Sequence, residues 1–401
     1  MTLRPTTADE LAEHIRAAVA EGAPLEIVGA GTKRGLGRPM QARETLDLSA
    51  FTGISLYEPA ELVMAAGAAT PVAAIEAALA EKRQMLAFEP PDLATLWGGA
   101  AGVQTIGGVL SANLAGPRRI KAGAARDHFL GVAAVSGRGE AFKSGGRVVK
   151  NVTGYDLCKL IAGSHGTLAV MHAVTFKVLP APEKTRTVLV HGLDPAAAVK
   201  AMSAALGSPH EVSAAAHLPA AIAARSAIDL VRDPGKAITA VRIEGPAPSV
   251  EVRCAALRDL LHAAEELHGM RSGRFWREVR DVATLLPDPS RAIWRISVAP
   301  TNGPVVAAAL RPLDAEIFFD WGGGLLWLSA PIGDDAGARF IREAVDRVGG
   351  HATLVRAPDP IRAVAAPFHP EPAGLAALSR RVKDQFDPMR ILNPGRMAAD
   401  L

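Results

Sequence analysis

Cysteine is almost missing from this chain: Cys158 and Cys254 are the only two in 401 residues. Two distant thiols cannot build a disulfide framework, and no C-x-x-C spacing exists for zinc or an iron–sulfur cluster. They read as buried thiols in a reducing cytosol. Aromatic residues make up 4% of the sequence, and the net charge is only +3, carried by scattered arginines. Those two shortages exclude a nucleic-acid binder. Charges interrupt every apolar run before it reaches bilayer length, and the opening MTLRPTTADELAEHIRAA has no signal-peptide core, so no transmembrane segment and no export signal are expected. Among eleven histidines none pair at metal-ligand spacing: His262 and His268 are six apart, His210 and His217 seven. No metal site is expected. Neither a Ser-His-Asp set, a nucleophilic cysteine nor paired carboxylates are legible, so catalytic residues stay unassigned.

What the chain does have is ordinary globular composition, 49% hydrophobic and 21% charged, and a length of two or three domains. Its glycines cluster in loops between apolar runs. Thr7 to Ala20 reads as an N-capped helix, with Leu11, Ile15 and Val19 at helical spacing. LEIVGAGTKRGLG follows, a strand Leu25 to Val28 and a glycine turn. A dinucleotide fingerprint G-x-G-x-x-G fails here, because its third glycine position is Arg34 and RGLGRPM cannot start a helix. The alternative is a free-standing loop, Gly29, Ala30, Gly31, Thr32 and Lys33, whose successive N–H groups make an anion nest; a plain glycine hairpin is the other reading. Leu46 to Ser49 and Ser55 to Tyr57 read as strands, and Val72 to Ala80 as a helix introduced by Pro71.

A second small-residue loop runs from Gly98 to Gly116, with Thr105, Ile106, Gly107 and Gly108 at its turn and Asn113 on the helix expected after it. The third, RVVKNVTGYDLCKLIAGSHGTLAVM, sets Lys150, Asn151, Gly154, Tyr155 and Asp156 beside a cramped bend, Gly163, Ser164, Gly166, Thr167 and Leu168, between apolar runs. Small residues let backbone N–H groups approach a ligand closely. From about Glu183 to His369 amphipathic helices alternate with strands at Thr187 to His191, Ala237 to Glu244, Ala292 to Ala299 and Leu325 to Ala330, an α/β pattern. VEVRCAALRDLLHAAEEL reads as one helix throughout. The tail, FDPMRILNPGRM, contains the strong turn signal N-P-G.

K-N-V-T-G-Y-D-L followed by G-S-x-G-T-L resembles the flavin-contacting segment of FAD-linked oxidases of the vanillyl-alcohol-oxidase/PCMH type, nearest to the FAD-binding subunits of bacterial glycolate oxidases. The turn T-x-G-G, the segment R-D-H-F-L-G with Arg126 and Asp127, and the closing F-D-P-x-x-x-x-N-P-G with Asn393 and Gly395 extend it over most of the chain. The resemblance implies an α+β fold: a two-subdomain PCMH-type FAD-binding domain over 1–181, an α/β cap over 182–383, and a C-terminal segment, 384–401, returning to the FAD domain. It implies that the residues named above hold FAD, with Gly29 to Lys33 at the pyrophosphate. Residues 29 to 37 hold neither histidine nor cysteine, so the FAD is expected to be non-covalent.

By the same resemblance the chain is an FAD-dependent oxidoreductase subunit that turns glycolate, a small 2-hydroxy acid, into glyoxylate. Arg280, in a segment like the family's carboxylate-binding cap, is the candidate for the acid, with Arg295 second. The family's cap motif H-x-G-D-G-N-x-H is absent, which points to a larger flavoprotein subunit for the substrate chemistry and an iron–sulfur subunit for the electrons. Localisation is then cytoplasmic, with peripheral attachment at the inner face of the membrane through those partners. A self-sufficient 2-hydroxy-acid dehydrogenase and a non-catalytic flavin-binding scaffold remain as alternatives.

Overall fold

In the computed structural model, which describes residues 1–147, 154–286 and 288–400, Thr7 opens the helix Ala8–Glu21 by accepting from Glu10 N–H at 3.2 Å. Glu10 reaches back to the Thr6 N–H and hydroxyl, at 2.6 and 2.8 Å, and Gly22 closes the helix at φ 58°. The face Leu11, Ala12, Ile15 and Ala18 is buried with Leu25, Leu46, Val135, Val170, Ile391 and Leu392. A helix this short owes its stability to such packing more than to its propensity.

The chain forms two compact units. One comprises Met1–Ala115, Gly123–Ala181 and Ala366–Leu401; the other comprises Gly116–Ala122 and Pro182–Ala365. The sequence drew its boundaries at 181/182 and 383/384; the contacts return the chain to the first unit at Ala366 and lend residues 116–122 to the second.

The first unit holds two sheets that matter to function. Thr2–Leu3, Glu44–Asp47 and Leu25–Val28 form a parallel sheet in that spatial order. Five antiparallel strands form the other, in the order Ile54–Glu58, Val63–Gly67, Ala169–Lys177, Phe129–Ser136, Ala141–Gly145. Its core takes Ile75 and Leu79 from the helix Val72–Glu81, Ile106, Val109 and Leu110 from the helix Ile106–Ser111, and Phe88, Phe129 and Phe176. Each such side chain contributes about 1.5–3 kcal/mol on burial. The core therefore fixes where the loops between these elements emerge.

The second unit is an eight-stranded sheet whose pairings are all antiparallel, with helices interspersed along the chain. Four of its strands, Ala214–Leu218, Glu265–His268, Glu316–Asp320 and His351–Arg356, were not read from the sequence. AAAHL has helical propensity, yet all five residues are buried between Ile238–Gly245 and Glu316–Asp320, and tertiary pairing overrides it. The run read as one helix stops at Leu261, where His262 turns left-handed at φ 51°; Glu265–His268 then adds an edge strand to Lys184–His191. No described helix is long and apolar enough to cross a membrane.

Candidate functional site

An open cavity lies within the first unit. Its lining brings together residues from four distant stretches: Gly29 to Lys33, Thr105 with Gly107 and Gly108, Gly166, and Asn393. The first loop leaves the strand Leu25–Val28 and runs on as turns, with Gly31 at φ 69° and no helix after it. The N–H groups of Ala30, Gly31, Thr32 and Lys33 have no acceptor among the described residues. Four successive unspent donors on a cavity wall form an anion nest.

The helix Ile106–Ser111 contributes packing instead of donors. Thr105 caps it, taking Gly108 N–H at 3.3 Å, while Ile106 N–H goes to the Thr70 carbonyl and Gly107 N–H to the Ala68 carbonyl, at 3.0 and 2.8 Å. A Cβ on Gly107 would sit 2.7 Å from the Ala68 oxygen, and one on Gly29 3.0 Å from the Thr105 hydroxyl. Glycine is what lets these segments approach.

Lys33 shares the cavity wall with two other cations, Arg34 and Arg396. Its Nζ lies 3.3 Å from Thr32 Oγ1 and 3.2 Å from Gln104 Oε1, both neutral. Burial lowers its pKa to about 8, opposed by Asp92. A lysine so placed is short of counter-charge, and an anion would supply it. The cavity therefore fits a pyrophosphate: unspent amides, a half-buried cation, and no carboxylate among the lining residues. Arg34 lines it too, held by Glu26 at 2.9 Å through two bonds.

The third loop shows the φ values its glycines predicted, 86° at Gly163 and 73° at Gly166. Ser164, Thr167 and Leu168 are buried behind the wall, and Ser164 Oγ has no partner among the described residues. Asn393 bonds the ends of both loops: its Oδ1 accepts from Ile27 N–H and its Nδ2 donates to the His165 carbonyl, each at 2.9 Å. Lining residues that sequence reasoning missed include His165, Arg396, Ile27 and Ser111. His165 and Arg396 stood inside or beside the quoted motifs, as the variable residue of G-S-x-G and the residue after N-P-G. Burial first, then Arg396, pushes His165 down to about 3, and its ring lies 4.8 Å from Phe368.

Other expected residues do not line the cavity. Ile106 is core. Asn113 was expected on a helix, but that helix ends at Ser111; Asn113 sits at φ 48°, as asparagine tolerates, and its Oδ1 accepts from Arg126 N–H at 3.0 Å. Arg126 is exposed and Asp127 caps Ala124 N–H at 2.8 Å. Gly154 and Tyr155 are exposed, and Asp156 caps the helix Leu157–Ile161. Gly395 turns at φ 74°. Lys150 and Asn151 lie outside the described residues. Cys158 and Cys254 are buried thiols, each pushed up to about 11 chiefly by that burial. Among the described residues no three His, Cys, Asp or Glu side chains group as metal ligands.

In the second unit the two candidate arginines differ. Arg280 is engaged by Asp281 through two bonds of 2.8 Å. Arg295, on the strand Arg291–Ser297, lies 5.0 Å from the Trp321 ring centroid, and Arg119 lies 4.4 Å from the same ring. The Arg295 guanidinium has no hydrogen bond or ion pair with any described residue. Burial, with Arg119 close by, lowers its pKa to about 10, Asp320 opposing. Asp320 is thus the carboxylate nearest to this half-buried guanidinium, and no hydrogen bond ties the two.

The architecture defines a PCMH-type flavoprotein fold. A solved p-cresol methylhydroxylase with substrate bound superposes with a TM-score of 0.76 at 14% identity, over 100% of this chain and 88% of that one, a likeness of fold alone. Residues 1–145 match the family model of an FAD binding domain. The glycolate oxidase subunit GlcE of Escherichia coli (strain K12) is 35% identical over 98% of this chain and 97% of its own length. The glycolate oxidase subunit GlcD of Bacillus subtilis (strain 168) is 37% identical over 25% of this chain and 21% of its own. The chain belongs to the FAD-linked oxidase family that includes GlcE, and its cofactor is FAD.

Proposed function

We propose that this chain is the FAD-binding subunit of a glycolate oxidase complex, converting glycolate to glyoxylate and passing the two electrons to partner subunits. The observation that carries the reading is the convergence of unspent amides, at Ala30 to Lys33 and Gly166, with the half-buried Lys33 on one cavity. Bound FAD supplies a hydride acceptor. The Gly29 to Lys33 nest and the Lys33 ammonium hold the pyrophosphate, and Gly107 and Gly108 admit the cofactor close to the backbone. Asn393 and the loop Gly163 to Leu168 complete the wall. Arg295, with Arg119 beside it, takes the substrate carboxylate, in place of Arg280, which Asp281 occupies.

The partners are a larger flavoprotein subunit and an iron–sulfur subunit, which would place the complex peripherally at the inner face of the membrane. Non-covalent FAD is retained as part of the reading; acid precipitation leaves the flavin in solution if it holds, and pellets it with the protein if His165, the histidine on the wall, has bonded to it.

The test is an absorption spectrum of the isolated chain followed by anaerobic glycolate, with and without the partner subunits. The expected result is a flavin spectrum that glycolate bleaches only when the partners are present. Rapid bleaching of the isolated chain identifies a self-sufficient dehydrogenase; a colourless chain that still assembles identifies a scaffold.

A further inference from the structure

Three carbonyls of the bend Gly163 to Leu168, those of Ser164, His165 and Thr167, accept hydrogen bonds. Ser164 O accepts from Thr167 N–H at 3.0 Å and from the Thr167 hydroxyl at 2.7 Å. His165 O accepts from Asn393 Nδ2 at 2.9 Å, and Thr167 O from Lys383 Nζ at 2.7 Å. Both donors come from the C-terminal stretch and both are buried. Lys383 is fixed in turn by Asp387 at 2.7 Å and the Leu392 carbonyl at 3.1 Å, and Asp387 is anchored by Leu392 N–H at 2.8 Å.

In a planar trans peptide the N–H points away from the carbonyl. Holding His165 O against Asn393 therefore turns the Gly166 N–H to the opposite edge, where it has no acceptor among the described residues and Gly166 borders the cavity. The orientation of the Asn393 amide is not ambiguous, since Ile27 N–H demands an oxygen and His165 O demands a donor. Asn393 itself is held at φ 44°, with its backbone N–H on Leu25 O at 3.0 Å. Gly166 is needed for the contact: a Cβ there would lie 2.7 Å from Asn393 Nδ2.

We propose that Asn393 is a positioning residue, not a flavin ligand: it fixes the His165–Gly166 peptide so that an amide N–H, not a carbonyl oxygen, faces the FAD cavity. Lys383 holds the Thr167 carbonyl two residues further on. Were the His165–Gly166 peptide to flip, a carbonyl dipole would face an anionic cofactor, and repulsion would replace a hydrogen bond. The inference rests on the FAD cavity described above.

Asn393→Asp isolates this role. The carboxylate keeps an acceptor for Ile27 N–H but sets a negative oxygen against His165 O; once protonated, it regains a donor. FAD affinity of the apo chain is measured by flavin fluorescence quenching from pH 5 to 8, with the melting temperature of each apo protein alongside. The variant is expected to bind FAD at least tenfold more weakly than the native chain at pH 8 and to recover most of that loss at pH 5. That recovery is one a merely structural role would not produce.

Native-like affinity at both pH values, or a pH-independent loss that tracks a fall in melting temperature, overturns the proposal. Should the aspartate variant not fold, Asn393→Ser, too short to span to His165, replaces it: a tenfold loss with a retained apo fold supports the role, and native affinity overturns it. A native chain that itself binds no FAD sinks the cavity reading and this inference together; one that binds FAD beside an unaffected variant sinks only the inference.

Discussion

With Lys33 at the pyrophosphate, as proposed, cofactor affinity is expected to depend on pH, and the lysine's environment sets both sign and size. Its pKa falls from 10.5 to about 8 because burial disfavours the ammonium, while Thr32 and Gln104 offer only neutral oxygens and Asp92 compensates in part. The nearby cations, Arg34 and Arg396, sit on Glu26 and on the Lys33 and Leu36 carbonyls. A pyrophosphate beside Nζ returns the lysine to its ordinary range of about 10.4. At pH 7 roughly nine in ten apo molecules already carry the charge, whereas at pH 9 only about one in ten does, so binding there must take up a proton. The dissociation constant for FAD is therefore expected to weaken about tenfold between pH 7 and pH 9, ~1.4 kcal/mol. Lys33→Met should bind more weakly at pH 7 by about ten- to a hundredfold, the loss of a charge-assisted bond of ~1.5–3 kcal/mol, and should show no such slope. Without cofactor the sign reverses: between pH 8 and 10.5 the unfolded chain holds a proton the folded chain has released, so apo stability contributed by Lys33 rises with pH. Fluorescence titration of apo protein with FAD at both pH values decides it. Equal affinities at pH 7 and 9, or a slope that survives in Lys33→Met, refute the argument.

Gly107→Ala places a methyl 2.7 Å from the Ala68 oxygen and 2.9 Å from its Cβ, and overpacking of that kind costs ~1–3 kcal/mol; an unchanged thermal melt would contradict it. Lys383→Met strands Asp387, whose side chain is 0% exposed, without its counter-ion, and the denaturant midpoint should fall by an equivalent of ~3–5 kcal/mol. Adding Asp387→Asn is expected to return part of that loss, and no recovery would argue against the ion pair as its cause. Arg295→Met in the assembled complex should raise the KM for glycolate about ten- to a hundredfold, by ~1.5–3 kcal/mol, with the flavin spectrum unmoved; an unchanged KM would assign the carboxylate elsewhere.

Legibility in the sequence followed the range of the forces involved. The helix Ala8–Glu21 was readable because its cap, its stripe and its terminal glycine are all local. The lack of a helix after the strand Leu25–Val28 was readable by elimination, since Arg34 and the glycines after it forbid one. Ala214–Leu218 was not readable, because alanine favours a helix and only the flanking strands Ile238–Gly245 and Glu316–Asp320 make it extended. Arg119 escaped for the same reason: nothing near residue 119 announces Trp321, two hundred residues on, whose Nε1 donates to Gly116 O at 3.0 Å. The Arg280 reading rested on the likeness of its segment to the family's carboxylate-binding cap, which says nothing of the neighbouring Asp281 that bonds one edge of the guanidinium. Motifs gave positions; only the packed structure gives which donors remain unspent.

Those unspent donors explain why so many distant glycine bends are needed. A dinucleotide site built on a helix end concentrates its N–H groups and dipole in one turn. Here the amides of Ile106, Gly107 and Gly108 are already bonded to Thr70, Ala68 and Thr105, so that helix offers no free end. Recognition has to be assembled instead from a nest at residues 30–33, a bend at 166, and the residues that hold them. The holding is done by the last part of the chain: Leu25 N–H bonds to Ile391 O at 2.7 Å, Asn393 N–H to Leu25 O at 3.0 Å, and Lys383 to Thr167 O. The cavity is thus a property of the first unit as a whole, complete only when residues near both ends of the sequence have met. FAD binding then stabilises that entire unit by RT ln(1 + [L]/Kd), and any substitution that loosens the C-terminal clasp registers first as lost cofactor.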